Sequence, residues 1–315
     1  MKGFTRICLL ISLIFLCIGC VCLGIGAALG SGLREVWAMA GNGELDVGYL
    51  HFGENVPFPY ITDDISDEEL QIEKGVVEES FLPQEVENLK INIKYGAVYV
   101  TDSQTDQIEI SVDAPESNAY QCGLKDETLE LLDKTPRYRW NALRNGIKNK
   151  VEITIAIPKG TVFDEVDLVT DAGGIEISHD LEAREIHFDL DAGELVAEKV
   201  IAAEGFSADV DAGNLEIAEF AAKSLEVDCG VGRAKLCGSV LEGVEADCGI
   251  GQIILQLKGR EDDYDYDVDC GLGNVRINGT SYSGLSTNKE IDHHTGRTIS
   301  LECGVGEIEV TVEEE

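Results

Sequence analysis

Apolar and polar residues alternate strictly along most of the chain, and the alternation keeps stopping at the same kind of place. Phe188, Leu190 and Ala192 fall on one face of an extended segment, and Asp189 and Asp191 on the other. Ala208, Val210 and Ala212 repeat this, as do Leu225, Val227 and Cys229, and Tyr266, Val268 and Cys270. A glycine follows each run, and after it comes a second apolar pair such as Ile175 and Ile177 or Leu215 and Ile217. The unit is strand, Gly-permitted bend, strand.

The phrase at the bend occurs seven times: Asp171-Ala172-Gly173, Asp191-Ala192-Gly193, Asp211-Ala212-Gly213, Asp228-Cys229-Gly230, Asp247-Cys248-Gly249, Asp269-Cys270-Gly271 and Glu302-Cys303-Gly304. The steps are 20, 20, 17, 19, 22 and 33 residues. A unit of about 20 residues cannot bury its apolar face alone, but stacked units can. The pattern predicts an all-β fold, a β-solenoid of parallel strand–Gly–strand coils. Aligning the phrases puts Ala172, Ala192, Ala212, Cys229, Cys248, Cys270 and Cys303 in one buried column. The cysteines there are expected as free thiols serving as small apolar side chains, because parallel stacking suits the disulfide dihedral poorly. The same alignment makes an outward column of Asp171, Asp191, Asp211, Asp228, Asp247 and Asp269. A second runs beside it through Asp189, Asp209, Glu226, Glu245 and Asp267.

Upstream, Leu89, Ile91 and Ile93 alternate, and Tyr95-Gly96-Ala97 is a worn copy of the phrase. Ile108 to Val112, Leu129 with Leu131, and Val151 to Ile157 add strands, the last ending at Pro158-Lys159-Gly160. Residues 81–315 form the repeat domain, 81–160 its opening and capping half and 161–315 its regular repeats. Residues 41–80 hold eleven acidic side chains against one lysine and no period, which describes a solvated linker.

Ile7 to Leu29 carries no charge, and 23 residues suffice to cross a bilayer. Lys2 and Arg6 precede it, which places the N-terminus in the cytoplasm and the rest outside. Residues 1–40 are therefore expected to be a cytoplasmic start and a single-pass anchor. Ala38-Met39-Ala40 and Gly19-Cys20 offer competing cleavage readings. The formal charge of −36 excludes nucleic acid as a partner. It leaves the membrane, envelope proteins or wall components.

Three places carry candidate chemistry. Residues 134–150 are the one basic island, and Arg137, Tyr138, Arg139, Trp140, Arg144 and Lys148 could contact phosphate, carboxylate or a lipid headgroup. Asp263, Asp265, Asp267 and Asp269 form the densest acidic strand, a candidate Ca²⁺ site, although Cys270 and Arg276 depart from a helix–loop–helix calcium loop. Elsewhere an Asp before a Gly bend is expected to accept a backbone N–H. The insertion 278–298 is expected as a polar loop exposing His293-His294. No nucleophile, metalloprotease or phosphate-loop motif occurs, so no catalytic residue and no cofactor is assigned.

The Leu89-to-Val100 segment with Gly96, Val151-to-Gly160, and the repeated phrases closing at Gly306 to Val310 resemble a bacterial family of candidate adhesins with β-strand repeats, the toastrack-type domain of unknown function. The resemblance covers about 81–313. It implies a membrane-tethered, extracytoplasmic solenoid associated with cell-envelope stress systems and adhesion, and it supplies no catalytic residues. The functional expectation is a binding or scaffold module. The alternatives are a Ca²⁺-dependent surface adhesin and, less favoured by the low aromatic content, a polysaccharide-active β-helix enzyme.

Overall fold

The computed structural model describes residues 50–51, 60–61, 75–114, 120–134, 151–283 and 286–314. The apolar run 7–29 and the basic island beyond Lys134 lie outside the described residues. The chain divides into two units. Of the first, Met1–Leu70 with Pro136–Ala142, the structure describes one antiparallel pair, β1 (Leu50–His51) with β2 (Tyr60–Ile61). All that follows concerns the second unit.

Its centre is β9, Val162–Cys248, in which every part of each turn of chain is laddered on the turn beneath. Parallel pairing continues to β4 (Asn88–Asp102) on one side and β10 (Gln252–Lys258) on the other, with Tyr95 opposite Ala172 and Ile253 opposite Ala234. Inward side chains such as Phe188, Leu190, Phe206, Val210, Leu225 and Val227 form one continuous core. Phe188 and Phe206 meet edge to face at 5.3 Å between centroids, a favoured aromatic geometry. The described residues are nearly all β, as the alternation requires.

The register differs from the phrase alignment. The glycine over Gly213 is Gly232, not Gly230, because a Cβ on Gly232 would lie 2.1 Å from the Gly213 carbonyl oxygen. Gly230 lies instead against Asp211. The corner therefore runs Gly96, Gly173, Gly193, Gly213, Gly232, Gly251, with true steps of 20, 20, 19 and 19 after Gly173. The last copies are Asp/Glu-Cys-Gly-x-Gly, and their second glycine matches the single glycine of Asp-Ala-Gly. Two columns are corrected by this slip of two residues. Ala192 and Ala212 are exposed corner residues, and Leu190 and Val210 occupy the buried level of Cys229. Asp171, Asp191 and Asp211 stack with Gly230 and Gly249 rather than with Asp228 and Asp247. The chain turns one residue earlier than alternation suggests, so the last apolar residue of each early phrase sits on the bend.

The sulfurs of Cys229, Cys248 and Cys303 each pack against the second glycine of the next coil. A Cβ on Gly251 would lie 2.8 Å from Cys229 Sγ, on Gly306 2.7 Å from Cys248 Sγ, and on Gly273 2.5 Å from Cys303 Sγ. The sulfurs also accept backbone N–H bonds from Gln252, Glu307 and Asn274 respectively. Burial raises these thiols, Cys303 to about 12, so they are protonated at neutral pH. All six described cysteines are free; Cys122 and Cys237 are half-buried and stand outside the column. Cys and the second Gly thus form one packing unit. Cys248→Val should cost about 1–3 kcal/mol by overpacking against Gly306, whereas Cys248→Ala should cost about 1 kcal/mol. Urea melts of the two variants check this order.

Chain order and spatial order part at the C-terminal end. Strands β15 (Thr298–Cys303) and β16 (Glu307–Glu313) form the last coil in sequence. In space that coil lies between the coil of Val244–Lys258 and the coil of β11 (Asp265–Cys270) and β12 (Asn274–Ile277). Leu301 pairs with Ala246 on one side and Val268 on the other. Val310 pairs with Leu255 and Ile277. The sulfur order is therefore Cys229, Cys248, Cys303, Cys270, not the sequence order. The insertion expected as a loop supplies two strands instead. β13 (Thr280–Ser283) pairs antiparallel with β12, and β14 (Thr287–Ile291) with β11. His293 and His294 are both exposed there, as expected, and His293 Nδ1 sits 2.7 Å from the Tyr264 carbonyl. The turn is pinned to the inserted coil by Asn278, whose Oδ1 accepts the Val312 N–H at 2.8 Å.

The other end is closed in the same way. β7 (Thr128–Asp133) and β8 (Glu152–Ile157) lie parallel on the two halves of β4. β6 (Tyr120–Lys125), β5 (Ile108–Ala114) and β3 (Gly75–Phe81) then continue antiparallel. β3 lies in the stretch expected as linker, so the sheet begins at Gly75. Among the described residues, short antiparallel strands thus flank the parallel coils at both ends.

Candidate binding face

Alternation sends Asp189, Asp209, Asp228 and Asp247 outward while their neighbours fill the core. The corrected register stacks them in one line with Glu302 and Asp269. Glu302 is opposite Asp247 and Asp269 is opposite Glu302. Asp228 lies between Asp209 and Asp247 and bonds Asp209. Six carboxylates therefore repeat at about 4.8 Å, the spacing of paired strands. Like charges so placed repel.

Burial and this crowding raise two of the six carboxyls. Partial burial first, then Asp209, Asp247 and Glu226, push the Asp228 carboxyl up to about 6. Partial burial, with Asp191, Asp209 and Asp211, also raises Asp189. Among the described residues no salt bridge reaches any of the six. Elsewhere the charges of neighbouring coils do pair: Arg184 with Asp164 at 2.6 Å, Lys223 with Glu204 at 2.6 Å, Lys235 with Glu216 at 2.8 Å, Arg276 with Glu307 at 3.0 Å. The six ladder carboxylates take no part in these pairs.

A carboxyl raised on folding binds its proton in the native state while the unfolded chain, titrating near the ordinary 3.8, has lost it. Asp228 therefore adds stability as pH falls through 6 toward 4, and the ionised group costs stability above that window. Asp228→Asn should raise the Tm by about 1–3 °C at pH 7, and the gain should vanish near pH 4. Paired calorimetric scans at the two pH values measure it.

Beside the ladder lies an open groove of about 670 Å³. His187, Ser207, Glu226, Glu245 and Ser300 run along its floor, two residues before the ladder positions, and Glu204, Lys223 and Glu242 form its rim. His187 Nδ1 is 2.8 Å from Ser207 Oγ, so the floor is itself bonded from coil to coil.

The four expected Ca²⁺ ligands do not converge. Asp263 is in the short 3₁₀ turn of Glu261–Asp263 and accepts the Arg260 N–H at 3.0 Å. Asp265, Asp267 and Asp269 follow one another on the outward face of β11. Asp265 accepts the backbone N–H groups of His293, Thr295 and Gly296 at 2.7 to 3.3 Å. Partial burial pushes its carboxyl up, but those donors outweigh it and hold it down at about 2. It thus fastens the 292–296 bend. Among the described residues no three His, Cys, Asp or Glu side chains gather to hold a metal. Arg137, Tyr138, Arg139, Trp140, Arg144 and Lys148 lie outside the described residues.

The Toastrack DUF4097 family model matches residues 86–311, which spans the stacked coils from β4 to β16. The chain belongs to the Toastrack DUF4097 family. No curated protein matches it. Among solved structures, this Toastrack chain is similar to a candidate adhesin from Bacteroides fragilis NCTC 9343, with 17% identity over 76% of this chain and 98% of that one, at a TM-score of 0.36. A candidate adhesin from Parabacteroides distasonis ATCC 8503 gives 12% identity, 76% and 98% coverage, and 0.37. A candidate lipid-binding protein from the same organism gives 10% identity, 74% and 96% coverage, and 0.32. Among the described residues no helix is long and apolar enough to cross a membrane.

Proposed function

We propose that this Toastrack protein is a membrane-tethered, extracytoplasmic binding module that works by contact and not by catalysis. The observation that carries the reading is the six-carboxylate ladder, stacked in register beside an open groove and left without basic partners among the described residues. Maintaining it costs stability, as the raised Asp228 carboxyl records, and a cationic partner would return that cost on binding. Tethering is supported by the uncharged run Ile7–Leu29 behind Lys2 and Arg6. The adhesin descriptions of the similar structures agree with a surface role.

The test uses the full chain in intact cells, with a photo-crosslinking side chain in place of Ser300 on the groove floor. Capture of one discrete envelope protein or wall polymer, lost in the Glu226→Gln, Glu245→Gln variant, supports the reading. The absence of any captured species, or capture indifferent to those charges, overturns it. A second reading, a Ca²⁺-dependent adhesin, draws on the same repulsion, because a divalent ion between coils would relieve it. Ligand at 100 times its dissociation constant adds about 2.7 kcal/mol. A saturable rise in Tm with Ca²⁺ over Mg²⁺ at matched ionic strength would favour that reading. No such rise would remove it.

A further inference from the structure

The corner beside the acidic ladder changes character along the solenoid axis. At the position three residues after each ladder carboxylate, the early coils carry Ala192 and Ala212. The later coils carry Val231, Ile250, Val305 and Leu272 at the same level. Ile250 N–H bonds Gly230 O, Val305 N–H bonds Gly249 O and Leu272 N–H bonds Gly304 O, which stacks the four without a gap. They are 54, 66, 58 and 66% exposed. The fold does not ask for large side chains here, since alanine serves the earlier coils. Four aliphatic side chains in one line, open to water on a protein of charge −36, form a ridge. Exposed apolar surface of this kind, rimmed by charge, marks an interaction site.

We propose that this ridge and the adjoining ladder together dock a cationic amphipathic helix of a partner protein. The inference rests on the reading of the chain as a binding module and supplies its partner's chemistry. Each coil offers one carboxylate and, three residues on, one aliphatic group: Asp228 with Val231, Asp247 with Ile250, Glu302 with Val305, Asp269 with Leu272. The partner must therefore present two parallel stripes, one basic and one apolar, along the solenoid axis. Successive turns of an α-helix rise about 5.4 Å, close to the coil spacing of about 4.8 Å, so three turns keep step with four coils. Alternate residues of a strand lie about 6.7 Å apart and fall out of step at once. Basic side chains on the acidic line steer the encounter, and the ridge gives the apolar anchor. An anionic lipid surface would be repelled by the same carboxylates.

The probe is a fluorescein-labelled helical peptide of about 14 residues with adjoining leucine and lysine stripes. Its binding to the full chain in detergent is read by anisotropy. The contrast is a four-fold variant, Val231→Ala, Ile250→Ala, Val305→Ala and Leu272→Ala, which gives the later coils the alanine of the earlier ones. At least tenfold weaker binding by that variant, with its Tm within a few degrees of the parent, is the expected result. A peptide of the same composition with its stripes scrambled should bind at least tenfold more weakly to the parent. Equal binding by the variant, or by the scrambled peptide, overturns the proposal in favour of simple charge attraction. Sedimentation that shows self-association lost in the variant, with no peptide binding, overturns it in favour of a second copy as occupant. Binding to phosphatidylcholine vesicles without peptide binding overturns it in favour of lipid. If the Ser300 crosslinker still captures its envelope species through the four-fold variant, the inference fails and the binding-module reading stands.

Discussion

Gly232→Ala should unfold the middle of the solenoid. The φ of Gly232 is +151°, a region that L side chains rarely occupy, and a Cβ would lie 2.1 Å from the Gly213 carbonyl oxygen. That oxygen belongs to the coil beneath, so relief requires two coils to separate. Strain and overpacking each cost about 1–3 kcal/mol, and here both apply. The expected loss is about 3–5 kcal/mol, or about 10 °C in Tm for a domain of this size. Gly123→Ala, on edge strand β6 with nothing within 4 Å of its new Cβ, is the control and should melt like the parent. Equal melting of the two variants would show that the coils do not stack through Gly232.

Removing residues 298–315 should be worse than removing more. The last coil in sequence is an inner coil in space, with Ile299, Leu301, Cys303, Ile308, Val310 and Val312 buried between the two coils it separates. Each such aliphatic side chain contributes about 1.5–3 kcal/mol on burial. A chain ending at Arg297 leaves β11 to β14 with no coil to stack on, and uncovers the edges of β10 and of the Val244–Cys248 segment. It should expose apolar surface, bind a hydrophobic dye and aggregate. A chain ending at Arg260 also ends in an open edge, but in an array where each coil contacts its neighbours the remaining coils keep all their mutual contacts. It should melt cooperatively. Dye binding and melting of the two truncations decide the matter. If the longer one were the better folded, the coils would follow chain order.

Most of this architecture is legible in the sequence because period-2 alternation fixes which face is buried, and the recurring glycine fixes where the chain bends. What alternation does not fix is which residue of one coil lies over which residue of the next. Asp-Ala-Gly and Asp-Cys-Gly look alike, yet stack two residues apart. The usable signal was the second glycine, Gly232, Gly251, Gly273 and Gly306, which occurs only in the cysteine copies; the last three pack beside a Cys Sγ, and Gly232 lies against the Gly213 backbone. The intercalated final coil left a weaker trace, the 33-residue step before Glu302. The acidic surface was visible from composition, but the ladder depended on register. So did the ridge, because Val231, Ile250, Leu272 and Val305 follow glycines and belong to no alternating run. The Asp263–Asp269 strand looked like a ligand set because alternation puts its carboxylates on one face. A single strand spreads them in a row, and Asp265 is already bonded to the 292–296 backbone.

The direct test of the ladder is the titration of the Asp228 carboxyl, followed by carbon-13 NMR in the folded protein. Partial burial together with stacking between Asp209 and Asp247 predicts a midpoint near 6 that falls part of the way toward the ordinary range when Asp247 is replaced by asparagine. A midpoint near the ordinary 3.8, indifferent to that replacement, would mean that the carboxylates are not in register and would remove the ladder on which the functional reading stands.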